Sequence, residues 1–129
     1  MLARVWNVVL IGVGGGVGTA LRYGIAVGAA RWLGLGFPWG TLAVNVIGSL
    51  LLGVVMELAG TREIAGVQAK LVLGAGVLGG FTTYSSFNLE TIRLAEQGAY
   101  GRAAAYLLAT LLGCLIAGVA GVALARSLR

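Results

Sequence analysis

The chain has 129 residues, of which 59% are hydrophobic and 10% are charged, and its formal net charge at pH 7 is +5. Soluble domains carry about 25% charged residues, so the composition excludes an ordinary water-soluble fold. The nine lysines and arginines are spread over short connections and tails and form no basic face, which argues against nucleic acid as a partner.

Four apolar segments are long enough to cross a bilayer, since a transmembrane helix needs about 20 largely apolar residues. We predict spans at about residues 5–30, 37–58, 71–95 and 103–125, which together form a single integral membrane domain over residues 1–129. The connections leave no room for a soluble catalytic domain. No nucleophile lies beside a base and no pair of acids is present, so an enzyme is not expected.

The first span is rich in glycine and contains Arg22. A glycine costs about 1 kcal/mol relative to alanine in a helix interior, but in lipid it lets helix backbones approach closely. An intramembrane charge is a functional candidate, so Arg22 either serves an ion pathway or extends from the end of the span to the lipid headgroups. Close helix packing is predicted at three glycine pairs, Gly12 with Gly16, Gly14 with Gly18, and Gly76 with Gly80.

Polar side chains recur every four residues on the second and fourth spans. Residues four apart share a helix face, and eight residues advance about 12 Å, close to half of a 30 Å hydrocarbon core. Two such columns indicate a hydrated track that ends at half depth, and the alternative is that the side chains only join helices by hydrogen bonds. The columns are Thr41, Asn45 and Ser49 on the second span, and Tyr106, Thr110 and Cys114 on the fourth.

The third span contains the sequence GGFTTYSSFN at residues 79–88, in which seven of ten residues are Gly, Ser, Thr or Asn. Such residues are poor helix formers whose side chains compete for backbone hydrogen bonds. A helix that breaks in the hydrocarbon must be buried in protein or line a water or ion site, and free carbonyls there would suit a small cation such as sodium. The alternative is a continuous helix whose hydroxyls bond the preceding turn.

The chemistry of these spans suits a small anion. Hydroxyl and amide groups supply hydrogen-bond donors, and the ring edges of Phe81, Tyr84 and Phe87 are weakly positive. Among the acidic residues only Glu90 lies near the predicted break, so the buried acid of a proton-coupled carrier is missing. We therefore predict passive conduction rather than pumping.

The basic residues give little preference for orientation, although cytoplasmic loops normally carry the excess of Lys and Arg. The chain inserts either in both orientations or with its termini in the cytoplasm. Arg4, Arg62, Lys70, Arg126 and Arg129 fall on the side of the termini, and Arg31, Arg93 and Arg102 fall on the other.

Three segments resemble the CrcB/Fluc family of fluoride channels, and the resemblance covers the whole chain. They are Leu21-Arg22-Tyr23 in the glycine-rich first span, PWGTLAVN at residues 38–45, and GGFTTYSSF at residues 79–87. The resemblance implies an all-α, multi-pass protein of the cell's inner (plasma) membrane, with four transmembrane helices per subunit and a broken third helix. It also implies an antiparallel, dual-topology dimer, either a homodimer or a pair with a homologous subunit, that passively exports cytoplasmic fluoride and so lowers fluoride toxicity.

The resemblance further implies roles for individual residues. It makes Asn45 the pore asparagine and places Tyr84 and Phe87 where the family presents ring edges to fluoride. It assigns the backbone carbonyls of Gly79 and Thr82 to a structural sodium ion, which is held at the dimer centre and not transported. The other residues expected along the fluoride pore are Thr41, Tyr106, Thr110, Cys114, Ser86, Glu90 and Arg22.

The chain departs from the family pattern at three positions. Tyr84 stands where phenylalanine is usual, Cys114 where serine or threonine is usual, and Asn88 where serine is common. A phenol keeps the ring edge but adds a hydroxyl that can itself bond an anion. We therefore expect Tyr84→Phe to raise fluoride flux.

Two other classes of membrane protein are the alternatives. A small dual-topology multidrug carrier would depend on a membrane-embedded glutamate in the first span, where this chain has Arg22 and no acid. A structural subunit of a larger membrane complex would not need two polar columns. In a structural subunit, substitution of Asn45 would change assembly rather than ion flux.

Overall fold

The computed structural model describes residues 2–129. Helices α1, α2 and α5 are long and apolar enough to cross a membrane. The predicted third span is divided into a first part, π1 followed by α3, and a second part, α4. The elements are α1 (Leu2–Leu33), α2 (Trp39–Leu58), β1 (Glu63–Ile64), β2 (Val67–Gln68), the π-helix π1 (Lys70–Leu78), α3 (Gly79–Phe81), α4 (Tyr84–Glu96) and α5 (Tyr100–Ser127).

The break in the third span lies at Thr82 and Thr83, whose backbones are extended. The Thr82 hydroxyl donates to the Leu78 carbonyl at 3.0 Å and closes the turn before the break. The Thr83 Oγ1 accepts from the backbone N–H of Ser86 at 3.2 Å and caps the N-terminus of α4. The break is therefore built from local threonine and serine hydrogen bonds, and the alternative of a continuous helix is wrong.

Glycine packing holds α1 against the first part of the divided span. A Cβ built on Gly14 would lie 2.9 Å from the Val72 carbonyl oxygen, and one on Gly76 would lie 2.9 Å from the Ile11 carbonyl oxygen. Gly18 and Gly80 face backbone atoms even more closely. These two pairs pack as predicted, because only a residue without a Cβ permits such backbone contact.

The prediction for the third pair, Gly12 with Gly16, is wrong within this chain. A Cβ on either residue would meet nothing within 4 Å among the described residues. Both glycines lie on the exposed face of α1. The spacing of small residues alone did not distinguish the packed face of α1 from its exposed face.

We expect Gly18→Ala to lower the free energy of unfolding by about 1–3 kcal/mol, the usual cost of overpacking. The added methyl group would overlap the backbone of Val77. Gly16→Ala, two residues away on the open face, is the matched control, and it should leave stability unchanged or raise it by up to about 1 kcal/mol. Denaturant titration in mixed micelles measures both, and equal stabilities of the two variants would contradict this packing.

A short hairpin connects α2 to π1, in a segment that the sequence predicted only as a connection. Strands β1 and β2 pair antiparallel around Ala65 and Gly66, which both have positive φ (51° and 78°), as in a type I′ turn. The Trp6 Nε1 donates to the Ala65 carbonyl at 3.0 Å. This bond ties the start of α1 to the hairpin.

Candidate functional site

The broken segment is held by Asn45 of α2. The Asn45 Nδ2 donates to the Thr83 carbonyl at 3.0 Å, and the Thr83 N–H donates to the Asn45 Oδ1 at 2.8 Å. In a continuous helix this N–H would instead bond the carbonyl of Gly79, four residues back. Asn45 was predicted as a pore residue, and in the structure its side chain holds the break. Nδ2 carries two donors, so one N–H is left for another partner.

A cavity of about 330 Å³ lies beside the break, and we call it the inner cavity. It receives side chains from both polar columns, so the columns on α2 and α5 face a common space. It also receives residues of the broken segment. The predicted site residues in its lining are Asn45, Thr110, Cys114, Tyr84, Phe87, Gly79 and Thr82, together with Ser49 of the first column.

Thr110 lines the inner cavity and carries a hydroxyl without a partner. Its Oγ1 is buried and has no hydrogen-bond partner among residues 2–129. Buried hydroxyls are nearly always hydrogen-bonded, and leaving one unpaired costs about 1–3 kcal/mol. The chain therefore supplies no partner for this hydroxyl, whose oxygen has almost no exposed surface.

The predicted aromatic residues of α4 lie together beside the cavity. The ring of Phe87 is buried and meets the rings of Tyr84 and Tyr106 edge to face, at centroid distances of 5.6 and 5.1 Å. The Tyr84 side chain is 74% exposed. The inner cavity is thus bordered by weakly positive ring edges and is open on the side of Tyr84.

The outer ends of the two columns meet at a carboxylate. The Thr41 hydroxyl donates to Glu90 Oε1 at 2.9 Å, and the Tyr106 hydroxyl donates to Glu90 Oε2 at 2.7 Å. Tyr106 has no exposed surface and also packs on the ring of Phe37 at 5.4 Å. We call Thr41, Glu90 and Tyr106 the carboxylate cluster. The sequence placed Glu90 near the break but did not give its partners.

A second cavity of about 370 Å³, the outer cavity, reaches the carboxylate cluster. Thr41 and Glu90 line it, together with Arg93 and Gln97 of α4. Residues 34–38, which connect α1 to α2, also line it. The cluster therefore borders the outer cavity through Thr41 and Glu90, and none of its three residues lines the inner cavity.

Besides Thr41, Tyr106 and Glu90, two more predicted pore residues lie outside the lining of the inner cavity, namely Ser86 and Arg22. The Ser86 hydroxyl accepts from the Thr83 hydroxyl at 3.0 Å and belongs to the cap of α4. Arg22 donates from Nη1 to the Thr82 carbonyl at 3.4 Å. Arg22 thus contacts the break from α1 and does not line the inner cavity.

The backbone carbonyls of Gly79 and Thr82 are the predicted ligands of a sodium ion. Among residues 2–129 no group of three or more His, Cys, Asp and Glu side chains could hold a metal ion, so a cation here would depend on backbone oxygens. Both residues line the inner cavity, and Asn45 takes the N–H that would bond the Gly79 carbonyl. Oxygen ligands on unwound backbone fit a hard cation such as sodium, although Thr82 also accepts the long bond from Arg22.

Comparison with known proteins places the chain in a family. Residues 9–122 match the model of the family described as CrcB-like protein, Camphor Resistance (CrcB). A protein of Agrobacterium fabrum, named fluoride-specific ion channel FluC, is 48% identical over 122 residues, which cover 95% of this chain and 98% of that protein. Proteins of the same name from Sorangium cellulosum and Anaeromyxobacter sp. are 52% and 50% identical, over 92% and 93% of this chain and 93% and 95% of their own lengths. The resemblance is confirmed: the chain belongs to the CrcB family and, with three helices able to cross a bilayer, is a multi-pass membrane protein.

Proposed function

We propose that this protein is a fluoride channel of the plasma membrane that passively exports cytoplasmic fluoride and so lowers fluoride toxicity. The names of its relatives support fluoride as the ion. The observation that carries the proposal is the buried, unpaired hydroxyl of Thr110 in a cavity between two polar columns. A channel needs no catalytic group, so the protein is not proposed as an enzyme.

Fluoride is small and strongly hydrated, so a narrow path must replace its water with other donors. In the inner cavity these donors are the Thr110 hydroxyl, the remaining N–H of Asn45 and the ring edges of Phe87 and Tyr84. The Cys114 thiol is a weaker donor one turn farther along α5. No lysine or arginine lines this cavity, so the ion would be held by dipoles and would be free to leave.

The channel is proposed to be an antiparallel, dual-topology dimer in which the divided span counts as the fourth membrane span. The exposed ring of Tyr84 and the open side of the inner cavity support a partner at this face. The even distribution of basic residues supports insertion in both orientations. The partner is a second copy of the chain, and a paired homologous subunit is the alternative.

A structural sodium ion is proposed at the centre of the dimer. The carbonyls of Gly79 and Thr82 from one chain supply only two oxygens, so a symmetric site would take the same two from the partner copy. The ion would hold the broken segments together and would not be transported. Helix breaks whose free carbonyls bind sodium are common in membrane transporters.

Fluoride efflux from liposomes, measured with a fluoride electrode, tests the proposal. The purified dimer should release fluoride rapidly, and vesicles loaded with chloride should show no matching release. Phe87→Ile should abolish release because the buried ring edge is lost, and Tyr84→Phe should raise it because a competing hydroxyl is removed. A folded dimer that releases no fluoride, either as wild type or as Tyr84→Phe, would contradict a homodimeric channel.

A further inference from the structure

The lining of the outer cavity includes polar residues that are not among the proposed pore residues. Two charged side chains line it, Glu90 at its inner end and Arg93 one turn farther along α4. Gln97, a further turn along, adds an amide. Residues three and four apart on a helix share a face, so Arg93 and Gln97 lie in line with Glu90.

An anion would be repelled from this cavity unless a positively charged side chain also lies there. The Glu90 carboxylate repels an anion that approaches the cluster from outside. Arg93 is exposed and forms no ion pair among residues 2–129, so its charge is free to act in the cavity. Arg102 adds a second cation at the rim, where its Nη1 donates to the Gly36 carbonyl at 2.8 Å. Arg93 therefore balances Glu90 in the lining, and Arg102 adds a positive charge at the rim.

We infer that the outer cavity is an anion-collecting mouth of the pore, in which Arg93 attracts a small hydrated anion and offsets the charge of Glu90. This inference rests on the proposed function, because it takes the path of the ion to continue from the inner cavity past the carboxylate cluster. A charged cleft with low-dielectric walls raises the local concentration of its counter-ion. Arg93 thus sets the rate at which anions reach the cluster, without belonging to the selective inner cavity.

Charge reversal at Arg93 tests the mouth by flux. Arg93→Glu should lower fluoride efflux by about 3- to 10-fold in 0.15 M impermeant salt, and Arg93→Lys should retain most of the rate. The deficit should grow at lower ionic strength, where screening weakens. Arg31→Glu is the matched control, since Arg31 is exposed near the end of α1 but does not line the cavity. Its efflux in the same 0.15 M salt should stay within about twofold of wild type.

Thiol accessibility tests the mouth without fluoride flux. Cys114 is the single cysteine, so Cys114→Ser gives a background without thiols, into which Gln97→Cys is introduced. The ratio of its modification rates by an anionic and a cationic methanethiosulfonate reagent reports the local potential. Adding Arg93→Glu should lower this ratio by about tenfold, and adding Arg31→Glu should not.

The two measurements separate failure of this inference from failure of the proposed function. If the wild type conducts fluoride and Arg93→Glu matches it in both assays, the inference that the outer cavity collects anions is wrong, and the proposed channel function is retained. If the wild type conducts nothing, the fluoride proposal fails, and the thiol ratio still decides whether the outer cavity attracts anions. In either case, the inference is wrong if Arg93→Glu leaves the ratio of anionic to cationic modification rates unchanged.

Discussion

Replacement of Asn45 by alanine is expected to lower the free energy of unfolding by roughly 2–6 kcal/mol and to abolish fluoride flux. The substitution removes both hydrogen bonds to the Thr83 backbone. Two buried backbone groups would lose their partners, and each unsatisfied group costs about 1–3 kcal/mol. The loss should be large because Thr83 lies in a break that has no regular helical bonding to replace it.

Denaturant titration in mixed micelles measures this loss, and Ser49→Ala is the control one turn along the same column. The Ser49 hydroxyl donates to the Asn45 carbonyl of its own helix at 2.7 Å, so its removal should cost about 0.6 kcal/mol or less. If Asn45→Ala is no less stable than Ser49→Ala, Asn45 does not hold the break. Because Asn45 acts in the fold, loss of flux in this variant alone does not distinguish a channel from a structural subunit.

Periodicity predicted the polar columns and local composition predicted the break, because both depend on residues close together in sequence. The four-residue spacing of Thr41, Asn45 and Ser49 fixes their common helix face. The poor helix formers at 79–88 determine where the third span is interrupted. The structure adds that two residues of each column line the same cavity, which depends on how α2 and α5 pack.

The contacts that define the site join residues far apart in sequence, and no local pattern encodes them. Asn45 binds Thr83 across 38 residues, and Thr41 binds Glu90 across 49. An asparagine on a polar helix face is equally compatible with a pore lining and with a backbone clamp. The glycine pairs show the same limit, since identical spacing at Gly12 and Gly14 leads to an exposed face in one case and a packed face in the other.

Thr110→Val is expected to lower fluoride flux without lowering stability, whereas Asn45→Ala lowers both. Valine has nearly the same shape as threonine, and the hydroxyl it removes has no partner in the described chain. Replacing an unpaired buried polar group by an apolar one of the same shape is neutral or stabilising. We therefore expect the free energy of unfolding to stay unchanged or to rise by about 1–3 kcal/mol.

Fluoride flux in Thr110→Val should nevertheless fall by about 10- to 150-fold. A hydrogen bond to a charged group contributes about 1.5–3 kcal/mol, and each 1.4 kcal/mol corresponds to a factor of ten. Thr110→Ser, which keeps the hydroxyl, should retain most of the flux and serves as the control. Unchanged flux in Thr110→Val would remove this hydroxyl from the ion path. A loss of stability in Thr110→Val, alongside the loss of flux, would instead indicate that the hydroxyl bonds a fixed group of the assembled protein. Flux and stability measured together therefore decide whether the Thr110 hydroxyl is kept unpaired for the ion.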